Sequence, residues 1–195
     1  MRHNVILEGP SFRVRPIVDS DAPFVLKLRS DPELSRFLHA TPLSIESQLG
    51  WFERYYERPG DWYFVVERRC TSTPEGLISL YDYNVEQRCA EWGRWILSPA
   101  SLAAVESAWL IYRFAFEQLY LREVYSRTVA DNQSVVSFHD SCGIANRTLL
   151  PSHFNLNGRV LDAVEHRVND SGWTSLGPRL EQLAQKIARR LQRDT

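Results

Sequence analysis

CAEWGRWILSPASLAAVESAWLIYRFAFEQLYLREVYSRTVADNQSVVSFHDSCGI (residues 89–144) decides how this chain folds. It reads as strand, helix, strand, helix. Cys89–Leu97 has the character of a strand, and Ser98-Pro99 reads as a helix start, with Ser as the cap and Pro in the first turn. Over 101–119 the residues Leu102, Val105, Trp109, Tyr112, Phe116 and Leu119 recur at helical steps, and Ala104, Ala108, Ile111 and Ala115 make a second apolar face. Glu106, Arg113 and Glu117 leave only a narrow charged stripe, which predicts a largely buried helix. A second strand spans 123–130, Asp131-Asn132 breaks it, and a short helix at 134–142 ends on Gly143, suited to a left-handed C-terminal turn. Strand, helix and strand in this order predict two parallel neighbouring strands joined by a right-handed crossover. The unpaired N–H groups of the first helix then lie at the carboxyl end of a strand, where an anion can bind.

Outward from this stretch, Phe12–Pro16 alternates as a strand. Asp19-Ser20-Asp21 caps a helix bearing Phe24, Val25 and Leu28, with a kink at Pro32 before Leu34, Phe37 and Leu38. Ser44 opens another helix with Leu49, Phe52 and Tyr56 on one side, and strands at 62–70 and 76–83 flank a turn-rich 71–75. Late strands at 147–155 and 159–169 flank the hairpin signal Asn157-Gly158. The tail reads as a helix starting at Pro178, with Leu180, Leu183, Ile187 and Leu191 in line. The expected organisation is a domain over 1–174 and an amphipathic C-terminal helix over 175–195, packed on that domain or at the interface of a homodimer. Hairpin-linked strands followed by strand-helix-strand give an α/β fold with a mixed sheet.

Composition bounds the function. The 195 residues are 44% hydrophobic and 24% charged, enough for one domain with a sizeable core. A formal net charge of −1 argues against nucleic acid or a membrane surface as partner. Cys70, Cys89 and Cys142 show no CxxC spacing and fit a reducing compartment. The first ten residues hold no apolar signal core and no window suits a membrane span, so a cytoplasmic location is expected. His3, His39, His153 and His166 are scattered, so no metal is expected. Cys142 has no base beside it in sequence and reads as a buried thiol rather than a nucleophile.

The segments AEWGRWILSP (90–99), YRFAFEQLYL (112–121), EVYSRTVADN (123–132) and ADNQSVVSFHDSCGI (130–144) together resemble the acyl-CoA N-acyltransferases of the GNAT superfamily. The similarity runs over roughly residues 12–168. It implies a single-domain, mostly antiparallel mixed sheet with a central parallel strand pair splayed for CoA, and helices on both faces. It also implies acetyl-CoA as co-substrate, a small-molecule amine as acceptor, and direct attack of that amine on the thioester. Main-chain N–H groups of the Cys89 strand would polarise the thioester carbonyl, and Trp95, Ile96 and Leu97 of that strand would bind the co-substrate. Ala100, Ser101, Leu102 and Ala103 occupy the pyrophosphate position, where the family carries glycines, so this chain departs from the pattern there. The resemblance places Asn132 on the pantetheine arm; a plain helix cap is the other reading of that residue.

Two residues are candidates for acid–base chemistry. Glu91 would take a proton from the acceptor ammonium, directly or through water; alternatively it is a solvent-facing strand carboxylate paired with a neighbouring arginine. His139 stands where the family has a tyrosine that protonates the departing thiolate; as an imidazolium it could do so, with Asp140 beside it favouring the charged ring, whereas the other reading is a surface or capping histidine on a short helix. Trp51 belongs to an aromatic concentration with Phe52, Tyr55, Tyr56, Trp62 and Tyr63 that is either a stacking platform or core. Tyr81 and Asp82 could meet the substrate amine, although Asp82 could equally close a turn. WFERYYERPGDWYFVV (51–66), GLISLYDYN (76–84) and VVSFHDSCG (135–143) look closest to acetyltransferases of bacterial surface-sugar pathways, which implies a nucleotide-linked amino sugar as acceptor. The alternatives are an amino-terminal acetyltransferase of the ribosomal-protein type and a degenerate module that binds acyl-CoA or only a partner.

Overall fold

The computed structural model describes residues 2–193. Its strands are β1 (Leu7–Glu8), β2 (Phe12–Pro16), β3 (Trp62–Arg68), β4 (Thr73–Asn84), β5 (Cys89–Leu97), β6 (Glu123–Val129), β7 (Arg147–Leu156) and β8 (Arg159–Asn169). They form one eight-stranded sheet in the order β1-β2-β3-β4-β5-β6-β8-β7. Every neighbouring pair is antiparallel except β5 and β6 at the centre. Helices α1 (Ala22–Ser30), α2 (Pro32–Ser35) and α3 (Ile45–Tyr56) precede β3, α4 (Ala104–Arg113) is the crossover from β5 to β6, and α5 (Gln133–Ser141) and α6 (Asp170–Leu191) follow β6 and β8.

Alternation along the strands sends side chains to two cores. Val25, Leu28, Phe52 and Tyr55 of α1 and α3 pack on Tyr63, Val65, Leu77 and Ile96. On the other face Trp109, Ile111 and Tyr112 of α4 and Leu180 and Ala184 of α6 pack on Phe64, Ile78, Leu80, Trp92 and Val124. The expected mixed sheet, central parallel pair and two helical faces are all present.

Three local expectations are corrected. The crossover helix starts at Ala104 rather than near Ser101, and it has no side-chain cap. Ser98-Pro99-Ala100-Ser101 instead makes a turn, with Ser101 N–H donating to Ser98 O at 3.1 Å and Ala100 at φ +65°. The C-terminal helix starts at Asp170, eight residues before Pro178, with the Asn169 side chain accepting from Gly172 N–H at 2.8 Å. Its first turns are held by Trp173, which stacks on Phe116 at 5.4 Å, so tertiary packing carries the helix through the proline. Its buried stripe is Leu176, Leu180, Ala184 and Ala188, with Leu183, Ile187 and Leu191 on the flank; positions 194 and 195 lie outside the described residues. The boundary drawn at 174/175 falls inside this continuous helix.

Glu106 is likewise no part of a solvent stripe. It is fully buried, and its Oε1 accepts from the amides of Ser11 at 2.9 Å and Phe12 at 2.7 Å. Burial raises its carboxyl above the ordinary range, against those two bonds. A Cβ at Gly9 would lie 2.2 Å from the same oxygen, which explains the glycine.

Candidate functional site

The parallel pairing of β5 and β6 covers three positions, Cys89 with Glu123, Ala90 with Val124 and Glu91 with Tyr125, and stops there. Both strands continue, β5 to Leu97 and β6 to Val129, so they diverge and leave facing main-chain edges unpaired. The divergence coincides with an irregularity on β5. Opposite β4, Leu77 pairs with Ile96 but Ser79 pairs with Gly93, which inserts one extra residue on β5, and Arg94 there has φ +47°. A bulge of this kind bends the strand that carries it.

A cavity of about 910 Å³ runs through this opening. Trp92, Trp95 and Ile96 of β5, Ser126 to Val129 of β6, and Asn132, Val135 and His139 around α5 line one side of it. The other side is made by Trp51 and Arg54 of α3, Arg29 of α1, Tyr63, Tyr81, Arg94, and the segment from Phe37 to Pro42. The sheet is therefore open from face to face at one place.

Several expected site residues meet here: Trp51, Tyr81, Trp95, Ile96, Asn132 and His139 all line the cavity. Asp82 does not; it is exposed, at φ +52°, on an irregular part of β4 that pairs with β5 again only at Asn84. Leu97 packs toward the α4 core, and Ala100 to Ala103 lie beyond the lining. The Ser101 hydroxyl donates to Glu75 Oε2 at 2.7 Å and accepts from Ala103 N–H at 3.2 Å, so it serves the turn. Asn132 occupies the cap position of α5, but its side chain makes no cap bond; its Oδ1 accepts from Ser134 Oγ at 2.9 Å.

Glu91 sits just behind the wall and is 7% exposed. Its Oε1 accepts from the Tyr81 hydroxyl at 2.9 Å and its Oε2 from Arg127 Nη1 at 3.1 Å. Burial pushes its carboxyl up, against the opposing pull of Tyr81 and Arg127. Arg127 is shared with Glu165 at 2.9 Å, which Arg167 also binds at 2.6 Å.

His139 departs from expectation in its charge. The ring is 1% exposed, packed between Trp92 at 5.3 Å and His166 at 4.7 Å, and burial pulls its pKa down to about 3. At neutral pH it is the uncharged imidazole and no imidazolium donor. Its Nε2 lies 3.4 Å from Ser126 Oγ. Asp140 turns away from it, to His166 Nε2 at 3.1 Å and Arg147 at 2.7 Å. The contact with His166 joins two histidines that look scattered in sequence. Among the described residues no group of three or more His, Cys, Asp and Glu side chains could hold a metal. Cys142 is buried and its thiol is pushed up to about 11.

Sequence reasoning missed the arginines. Arg94 binds Asp61 through two bonds of 2.7 and 3.0 Å, and its guanidinium lies 4.4 Å over the Tyr81 ring. Arg29 holds His39 O at 2.9 Å and Thr41 Oγ1 at 3.1 Å, which fixes the segment over the cavity. Arg54 stands exposed on α3 at the rim. Nothing in their local sequence separates them from surface charges.

Residues 11–145 match the family model described as Acetyltransferase (GNAT) domain. No curated protein sequence matches. Among solved structures, apo FdhC, described as a nucleotide-linked sugar GNAT, is 26% identical with a TM-score of 0.73, over 89% of this chain and 94% of that one. A GCN5-related N-acetyltransferase from Brucella melitensis is 20% identical with a TM-score of 0.81, over 94% and 86%. The spermidine N-acetyltransferase from Vibrio cholerae in complex with CoA and spermine is 21% identical with a TM-score of 0.74, over 84% and 98%. With the family model spanning most of the chain and the splayed parallel pair at its centre, the chain belongs to the GNAT acetyltransferases, acyl-CoA-dependent enzymes that acetylate amines.

Proposed function

We propose that this enzyme transfers the acetyl group of acetyl-CoA to the primary amine of a small acceptor that also carries negative charge, a nucleotide-linked amino sugar. The cavity through the β5–β6 opening carries the reading. The unpaired edge of β5 from Trp92 onward offers main-chain N–H and C=O groups to an amide-bearing pantetheine arm, with Asn132 beside it. The helix start that follows the turn at Ala100 to Ala103 is where the pyrophosphate would rest, the Ser101 and Ala103 amides being engaged within the turn itself. The chain thus fits the co-substrate, although its turn presents Cβ atoms where glycines would allow closer approach.

The acceptor half argues for the charge. Among the described residues, Glu46 alone gives the cavity lining a carboxylate, against Arg29, Arg54, Arg94 and Arg127. Asp61 neutralises Arg94, and Glu91 and Glu165 neutralise Arg127, which leaves Arg29 and Arg54 to meet an anion. A polyamine would call for the opposite wall. Trp51, stacked on Tyr55 at 5.6 Å, offers an aromatic face to a base or sugar ring.

The test is thiol release from acetyl-CoA with amino-sugar nucleotides, spermidine and short peptides as acceptors. The amino-sugar nucleotide should give the highest kcat/KM, and Arg54→Glu should raise its KM without changing that of acetyl-CoA. Preference for spermidine or a peptide amino terminus would overturn the acceptor assignment.

A further inference from the structure

We propose that Tyr81 is the catalytic residue that takes the acceptor's proton, and that Glu91 acts through it as the positioning residue and final proton acceptor. This inference rests on the acetyl-transfer reading of the same cavity. Glu91 cannot meet an amine as it stands. It is absent from the cavity lining, and Tyr81 and Arg127, which do line the cavity, are the groups bonded to its two oxygens. Tyr81 does line the cavity, and its hydroxyl is the group between the cavity and the carboxylate.

Three features fix that hydroxyl. Gly93 makes room for it, since a Cβ there would lie 2.7 Å from the phenol oxygen. Glu91-x-Gly93 is thus one device: the glutamate binds the tyrosine and the glycine lets it pass. Arg94 covers the ring at 4.4 Å and is itself held by the two Asp61 bonds. Register sets the level: Tyr81 pairs with Glu91, Glu91 pairs with Tyr125, and the opening begins at the next residue. The hydroxyl therefore stands at the closed end of the slot, where an arm along β5 and an amine from the α3 side would meet.

The chemistry needs such a group. A primary ammonium has a reference pKa near about 10 and must lose a proton before it can attack a thioester. As an ammonium N–H bond breaks, its proton joins the Tyr81 oxygen while the phenol's own proton passes to Glu91 Oε1. The freed amine lone pair forms the C–N bond, and the C–S bond breaks with its electron pair leaving on sulfur. A second nitrogen proton goes to the thiolate, and Glu91 returns its proton to solvent. Tyr81 ends as it began. Burial and the Glu91 charge push its phenol further above its ordinary value, so the transfer passes through it without a resting tyrosinate. The groups that face Glu91 are Tyr81 and Asp82 on β4, Arg127 and Tyr125 on β6, and Glu165 on β8.

The experiment compares Tyr81→Phe, Glu91→Gln and the double variant by kcat, by acetyl-CoA affinity and by the pH profile of kcat/KM. Each single change should lower kcat by about 10²-fold or more, with acetyl-CoA affinity within about twofold and the double variant within about threefold of the worse single, because all interrupt one path. The acid limb of the profile should vanish in both singles, which a packing role for Tyr81 would not cause. Glu91→Gln keeps an acceptor for the tyrosine and covers the case in which Tyr81→Phe folds poorly. A Tyr81→Phe enzyme with wild-type kcat and an intact acid limb, or losses that multiply fully in the double variant, would overturn the relay. Failure of the wild type to acetylate any amine would instead remove the reading on which it rests.

Discussion

Replacing His139 with phenylalanine should flatten the acid side of the stability profile, by an amount that follows from where the ring sits. The imidazole is 1% exposed, its Nδ1 has no hydrogen-bond partner, and burial carries its pKa from 6.5 to about 3. Below pH 6.5 the unfolded chain takes up a proton that the folded ring refuses, so stability falls with pH until the folded value is reached. At pH 5 the gap is about 1.5 units at about 1.4 kcal/mol each, a loss of about 2 kcal/mol relative to pH 8. Glu91 and Glu106, whose carboxyls are raised, act with the opposite sign, and His3, lowered to about 4, with the same sign. All three remain in the variant and cancel in the comparison. Urea unfolding of both proteins at the two pH values should show the wild type losing about 2 kcal/mol more than His139→Phe. Equal losses would refute the reasoning and show that the ring takes a proton in the fold. A ring that titrates at about 3 is charged at neutral pH in on the order of one molecule in 10⁴. His139→Phe should accordingly keep turnover within about tenfold, where a positioned acid would be worth about 10²-fold to 10⁴-fold.

Ala100→Gly should stabilise the protein by about 1 kcal/mol or less, because φ +65° strains a residue with a Cβ while glycine adds chain entropy to the unfolded state; a lowered Tm would contradict this. Gly9→Ala should cost about 2 kcal/mol or more in denaturant unfolding, since its Cβ meets Glu106 Oε1 at 2.2 Å, whereas Glu106→Gln keeps an oxygen for both amides and should cost about 1 kcal/mol or less. Leu180→Ala should cost about 2 to 4 kcal/mol and the half-buried Leu183→Ala clearly less, and similar losses would show that the stripe was misassigned.

The strands were legible where local pattern and tertiary demand agree. Cys89–Leu97 and Arg159–Asn169 begin and end where their alternation and flanking turns say. Ser98-Pro99 misled because Ser and Pro suit a helix start and a tight turn equally. Glu75 decides between them, its carbonyl taking Ser98 N–H at 2.7 Å and its carboxylate the Ser101 hydroxyl, and nothing near Ser98 in sequence announces that partner. Pro178 misled in the same way, since stacking of Trp173 on Phe116 is invisible to helix rules. Motif position singled out Glu91, Asn132 and His139 but could not tell their surroundings. The burial that keeps His139 neutral comes from Trp92 and His166, on two other strands.

The residue that ties fold to site is Arg94, which motif reading passes over between Gly93 and Trp95. As the extra residue opposite β4 it belongs to the bulge, and a bulge adds local bend and twist to its strand. β5 stops pairing with β6 at Glu91, just before the bulge, and the main-chain edges beyond that point are left out of the ladder. The same irregular backbone aims the Arg94 side chain over Tyr81 and onto Asp61, just before β3. Asp61 is 5% exposed while Arg94 is partly open to the cavity, so this is a half-buried, two-pronged ion pair whose loss would leave a buried carboxylate without its partner. One inserted residue thus lies where the two strands part and also covers the Tyr81 ring that lines the cavity. Its strain at φ +47° is held in place by the two Asp61 bonds and the aromatic contacts around it.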